Sequence, residues 1–333
     1  MEFSKARMDA ALEILAIDLH SNTPALEAHH TISKQMWGHI KALGYTSGRL
    51  LAFGRDAEIL AGAPLDAPRT MDGLVIVDGV EADEGLKDQI LLSGNLPGDT
   101  RWPHSDLDMR PVDDSETGPA DVVIANLSAA DVRLMTRDRQ IEITITHHDL
   151  ILQALNWLRP GGLLVALAHR QLLEGTDARP RRSIAEHADL IAAVRLPAGA
   201  LRRAPLLDSP VDLLILRRRE PGHPPSGIAF IRRTPVRVHE HPNMLINECY
   251  ALAPQAVLGN IVPDPVQPGV TTATPFGGAF GVDLGDVLHE LTDIAIDFRL
   301  HATPRPAPGP GPHPSPAANE PHRSTHEADG PAL

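Results

Sequence analysis

Several residues are of types that could do chemistry. The run VIVDGVEADE (75–84) reads as a strand that ends on an acidic residue, Glu81. A carboxylate at the carboxyl end of a strand in a doubly wound α/β fold can accept hydrogen bonds from a ribose diol. A second strand-like run, ADVVIANL (120–127), opens on Asp121 and reaches Asn126. Arginines gather in the second half, with Arg202, Arg203, Arg217 and Arg218 as the candidates for tracking a phosphate backbone. The histidine pairs His29-His30 and His147-His148 invite a metal reading, but neighbours on a helix or strand point to different sides and cannot chelate one ion together. His239 and His241 could share a strand face, yet no third ligand accompanies them, so no metal is expected. Ser128 has neither the glycine elbow nor the base partner of a nucleophile. Cys249 is the sole cysteine, which excludes an intramolecular disulfide and a multi-cysteine zinc site.

Those residues need a scaffold, and the hydrophobic pattern supplies one. Short apolar runs, GRLLAF (48–53), GLVIVDGVEA (73–82), ADVVIANL, LLVALAH (163–169), LIAAVRLP (190–197) and VDLLILRRR (211–219), alternate with helical stretches. Continuous apolar runs without polar alternation are how strands covered on both faces read. The alternation predicts a doubly wound, mostly parallel sheet with ligands at the carboxyl ends of its strands. Two helices are expected before it, in MDAALEILAIDLH (8–20) and ISKQMWGHIKALGY (32–45). The expected organisation is helices over 1–44, a core over 45–221, an extension over 222–281, an amphipathic helix over 282–300 and a Pro-rich disordered tail over 301–333. The extension should hold one strand, GIAFIRR (227–233), and a short helix in MLINECYALAP (244–254). The terminal helix could pack on the core or on a protein partner. With 43 acidic against 30 basic residues and a formal charge of −13, the molecule as a whole does not attract polyanions indiscriminately. No cleavable signal and no membrane-spanning apolar run is seen, so a soluble, cytoplasmic protein is expected.

The order of several pieces resembles the adenine-specific (N6) DNA methyltransferases, in particular the methylase modules of phage- and plasmid-type proteins. HHTISKQMWGHIKALGY (29–45) resembles the helix that leads into their cofactor strand, and NWLRPGGLLVALAH (156–169) the helix, Arg-Pro-Gly-Gly turn and fifth strand. AAVRLP (192–197) and LLILRRR (213–219) resemble the sixth and seventh strands, and NECYALAPQAVLGN (247–260) a downstream segment. The resemblance covers about residues 25–265 and implies the fold of class I S-adenosylmethionine-dependent methyltransferases, a Rossmann-like, mostly parallel seven-stranded sheet.

It also implies a cofactor, S-adenosylmethionine, near the turn after the first strand at Gly54, with Glu81 on its ribose. The family's fourth strand ends in a tetrad of Asn or Asp, two prolines and an aromatic, which holds the exocyclic amine of a flipped adenine and stacks on its ring. Here the tetrad is Asn126, Leu127, Ser128 and Ala129, and only the Asn survives. The glycines of the cofactor turn fall on Asp56 and Glu58, whose carboxylates would repel the ligand's own. Both sites depart together, which points to impaired catalysis: a pseudo-methyltransferase that binds nucleic acid or a protein partner, with S-adenosylmethionine needed only if activity persists. The alternatives are an active adenine-specific enzyme and an interaction protein without a nucleic-acid role.

Overall fold

A computed structural model describes residues 23–54, 57–61, 71–76, 89–91, 119–127, 137–201, 210–238, 240–264, 271–274 and 280–303. By internal contacts the chain divides into Met1–Ala302 and Thr303–Leu333, and every described element belongs to the first. The expected helix over 8–20, Asp56, Glu81, Ser128, Ala129, Arg202, Arg203, His239 and the tail beyond 303 lie outside the described residues. Of Gly54 and Glu58 only the backbone is described.

The fold is α/β. One mixed sheet contains β1 (Gly48–Gly54), β2 (Met71–Ile76), β3 (Gln89–Leu91), β4 (Ala120–Asn126), β5 (Leu158–His169), β6 (Ala188–Arg195) and β7 (Val211–Arg218). Its order is β3-β2-β1-β4-β5-β7-β6. β1 pairs in parallel with β2 and β4, and β4 with β5. β7 lies antiparallel between β5 and β6, and β3 is antiparallel to β2. Five strands therefore share one direction. All seven residues of β4 and all eight of β6 are buried, as unalternating apolar runs require.

The helices are α1 (Thr23–Ala42), α2 (Ala57–Leu60), α3 (Arg137–Trp157), α4 (Gln171–Glu174), α5 (Arg179–His187), α6 (Glu248–Leu252) and α7 (Phe280–Asp297). α1 buries Ile32, Met36, Ile40 and Leu43, and α7 buries Leu284, Leu288, Leu291 and Ala295, each set at three- or four-residue spacing. The two stripes meet. A Cβ on Gly281 would stand 2.8 Å from the Thr31 methyl, and one on Gly285 would stand 2.8 Å from the Gln35 amide oxygen. Those glycines let the helices approach closely. Nδ1 of His39 in α1 also bonds the Thr292 hydroxyl and the Leu288 carbonyl of α7. The terminal helix thus packs inside its own chain.

The extension differs from the sequence expectation. GIAFIRR is not a strand: Gly227 takes a positive φ of 86°, and Ile228 N–H donates to the Leu190 carbonyl at 2.9 Å, so this segment runs along β6 as irregular chain. The strand begins later, as β8 (Arg233–Val238), and pairs antiparallel with β9 (His241–Asn247). MLINECYALAP is helical only over Glu248–Leu252, because its first half is taken by β9 and Asn247 caps α6 by accepting the Cys249 N–H at 3.1 Å. A second hairpin, β10 (Asn260–Pro263) with β11 (Thr271–Thr274), was not foreseen.

Candidate functional site

The chain leaves β1 toward β2 on one side and continues from β4 toward β5 on the other, so the order reverses between β1 and β4. In open α/β sheets the crevice outside the carboxyl ends of such strands is where ligands bind. What sits there depends on the register, and the register is fixed at the opposite end. Asp121, 2% exposed, accepts the Arg49 N–H at 2.8 Å and Arg159 Nε at 2.6 Å. Gly48 has φ +115°, and a Cβ there would lie 2.1 Å from an Asp121 carboxylate oxygen, so the carboxylate reaches β1 only across a glycine. With Asp121 so anchored, Leu50 pairs with Val122, and the ladder ends with Gly54 opposite Asn126. Gly54 and Asn126, which the sequence places in two different candidate sites, are thus direct neighbours at the switch point.

The Arg-Pro-Gly-Gly turn lies at the amino-terminal end of the sheet, beside Asp121. Gly161 takes φ +75° and its carbonyl accepts the Tyr45 hydroxyl at 2.6 Å, tying the end of the α1 segment to the start of β5. A Cβ on Gly162 would meet the Arg159 carbonyl at 2.9 Å. Trp37 Nε1 donates to the Ala61 carbonyl at 2.7 Å and holds α1 against α2.

Asn126 is buried, and its Nδ2 lies 2.9 Å from Nε2 of His29, itself only 4% exposed and carried by α1. The amide and the ring thus face each other within hydrogen-bond distance, away from solvent. Leu127 is buried as well, and its N–H donates to Leu167 at 2.8 Å. The sequence reading treated His29 only as half of a histidine pair. No local signal linked it to Asn126, because the contact spans 97 residues. His30, the other half of that pair, is exposed, about 100° further round the same helix.

A second polar cluster lies at the same sheet end, further along. Arg195, at the carboxyl end of β6 and 1% exposed, holds Asp212 of β7 with Nε–Oδ1 of 2.8 Å and Nη2–Oδ2 of 3.0 Å. Its other Nη bonds Glu174, and its guanidinium stacks over the Tyr250 ring at 4.6 Å. Burial opposes its charge, but Asp212 and Glu174 outweigh that and hold its pKa well above the ordinary value. Burial, with Asp212 next, drives the pKa of Tyr250 and of Cys249 upward. Arg170 is wholly buried, pairs with Asp264 at 2.7 Å and bonds the Thr271 carbonyl, which fastens the second hairpin to the end of β5. Nδ1 of His147 accepts the His169 N–H at 3.3 Å. Burial lowers the pKa of His147 to about 4 and of His169 to about 3, with Arg170 adding to the latter. Among the described residues no group of three or more His, Cys, Asp or Glu is arranged to hold a metal, and no helix is long and apolar enough to cross a membrane.

Arg217 and Arg218 stand elsewhere. β7 runs against its neighbours, so they lie at the amino-terminal end of β5, where Arg217 pairs with Leu163 in the ladder. Arg217 is buried and bonds Glu220 at 2.6 Å, while Arg218 bonds the carbonyls of Asn156 and Leu158. Arg195, one of the arginines gathered in the second half of the sequence, is interior.

No protein-family model matches the chain, and no curated protein does. Among solved structures it is similar to a Listeria monocytogenes protein described as a class I S-adenosylmethionine-dependent methyltransferase, with 23% identity, a TM-score of 0.24, and 32% of this chain and 34% of that one covered. It is also similar to a chain from a type I restriction–modification system, at 22% identity, TM-score 0.23, and 31% and 22% coverage. A third is the EcoKI M protein of a type I restriction enzyme, at 13% identity, TM-score 0.25, and 56% and 50% coverage. The chain spans half or less of the length of each. At these scores the likenesses carry no functional weight.

Proposed function

We propose that this chain is a methyltransferase-type module of class I, with the mostly parallel seven-stranded sheet of that class, in which catalysis is impaired and binding is what persists. The observation that carries the reading is Asn126: it sits at the carboxyl end of β4 beside Gly54 of β1, where an acceptor amine would be held, but its amide is committed to the buried His29. Strand order supports the class, with β7 inserted antiparallel between β5 and β6. In this reading Gly54 and Glu81 mark where S-adenosylmethionine lay in an active ancestor, and Asp56 and Glu58 stand where its turn needed glycines.

For the binding role, Arg202 and Arg203, with the exposed Arg182, Arg232 and Arg237, are candidates to meet phosphate. Arg217 and Arg218 serve the end of their own strand. One observation favours an active adenine-specific enzyme instead: the Asn at the end of β4 is retained. Calorimetric titration with S-adenosylmethionine separates the two. The expected result is no heat of binding at micromolar cofactor, and micromolar affinity would overturn the pseudoenzyme reading. DNA binding is tested by filter retention across a salt series, where arginine–phosphate contacts predict affinity that falls steeply as salt rises.

A further inference from the structure

We propose that His29 is a built-in occupant of the switch-point pocket: its imidazole fills the place of a planar nitrogen heterocycle and closes the site from within. The inference rests on the reading of Asn126 as the group that faced an acceptor amine. Three observations lead to it. His29 is a planar ring with in-plane nitrogens, and its Nε2 lies 2.9 Å from the amide of the one retained residue of the acceptor tetrad. Both partners are 4% exposed, so the bond is made away from water and the amide has no solvent face on which to receive an outside ring. The helix carrying the ring is fastened beyond it by Trp37 to Ala61, His39 to Leu288 and Thr292, and Tyr45 to Gly161. The imidazole is therefore held in place by contacts that do not depend on Asn126.

A self-filled pocket differs from an ordinary core histidine in one respect: removal of the ring should leave a cavity that prefers a hydrogen-bonding heterocycle over an apolar ring of similar size. The experiment uses the full chain with His29→Gly, followed by thermal melting at about pH 8, where imidazole is neutral. Imidazole at about 100 times its dissociation constant should raise the variant's midpoint by roughly 5–10 °C and leave the unsubstituted protein unchanged. Benzene should raise it less. No shift with imidazole, or an equal shift with benzene, would overturn the proposal, the latter because it marks a plain core void.

Should His29→Gly fail to fold, His29→Ala takes its place in the same melts, and the same two outcomes decide. Adenine titrated into the variant addresses the base-site reading separately. Imidazole recovery without adenine binding would leave the self-filled pocket standing and remove its ancestry as an adenine site, whereas cofactor titration tests the impaired-catalysis reading alone.

Discussion

Replacing Asp212 by Asn removes one charge from a buried group of three. Asp212 is 0% exposed and gives both carboxylate oxygens to Arg195, and Glu174 supplies one more bond to the same guanidinium. The Asn side chain keeps the shape but loses the charge and one acceptor, so the guanidinium remains buried with half its compensation. Breaking a buried pair from one side costs about 3–5 kcal/mol, because the remaining ion is stranded in a medium of low dielectric. With a urea dependence of about 2–3 kcal/mol per molar, the unfolding midpoint should fall by about 1–2.5 M. The assay is urea unfolding at pH 7 followed by circular dichroism, with the slope checked for constancy. Arg195→Lys is the companion variant: a point charge cannot span both oxygens of Asp212, so it too should destabilise. A loss below about 1 kcal/mol in Asp212→Asn would refute the argument, since it is what an exposed ion pair gives.

Two further outcomes follow from the same physics. His39, His147 and His169 are held near pKa values of about 4, 4 and 3 by burial, below the ordinary 6.5, so the unfolded chain binds more protons than the folded one between those limits. Stability should be complete above about pH 6.5 and fall as pH drops toward 4, by up to about 1.4 kcal/mol per pH unit for each imidazole; unfolding midpoints measured from pH 7 to 4.5 check this, and His147→Gln should lessen the slope. Gly48→Ala should destabilise by about 1–3 kcal/mol or more, since it forces a side chain into a positive-φ position and against the Asp121 carboxylate. Chemical denaturation measures it, and an unchanged midpoint would show that the register does not depend on that close approach.

The strands of the core were legible because their apolar runs do not alternate, and a run such as ADVVIAN has few other ways to be buried. Their ends were less legible: β5 begins at Leu158, five residues before the predicted strand, because Leu158 already pairs with Ala120 and the Arg-Pro-Gly-Gly turn bulges out before Leu163 meets Val122. GIAFIRR looked like a strand because its apolar residues are β-formers, but Gly227 at positive φ turns the chain before any pairing is made. The second hairpin was invisible because its strands are four residues each and rich in Pro and Thr. In the candidate site, Asn126 was readable from its place at the end of a strand. Its partner was not, because a histidine on a helix bears no mark of the strand it will touch. The arginines misled for a similar reason: sequence shows a cationic cluster, and only burial shows that Arg195 and Arg217 face inward.

The contact between α1 and α7 also bears on how the molecule assembles. His39 bonds to residues 249 and 253 positions later in the chain. Closing so long a loop sets in late, and on a ribosome the first of these helices waits for the last to be made. During that interval the stripe of Ile32, Met36 and Ile40 lacks its final cover, so the first described helix stays open to chaperones and proteases until α7 arrives.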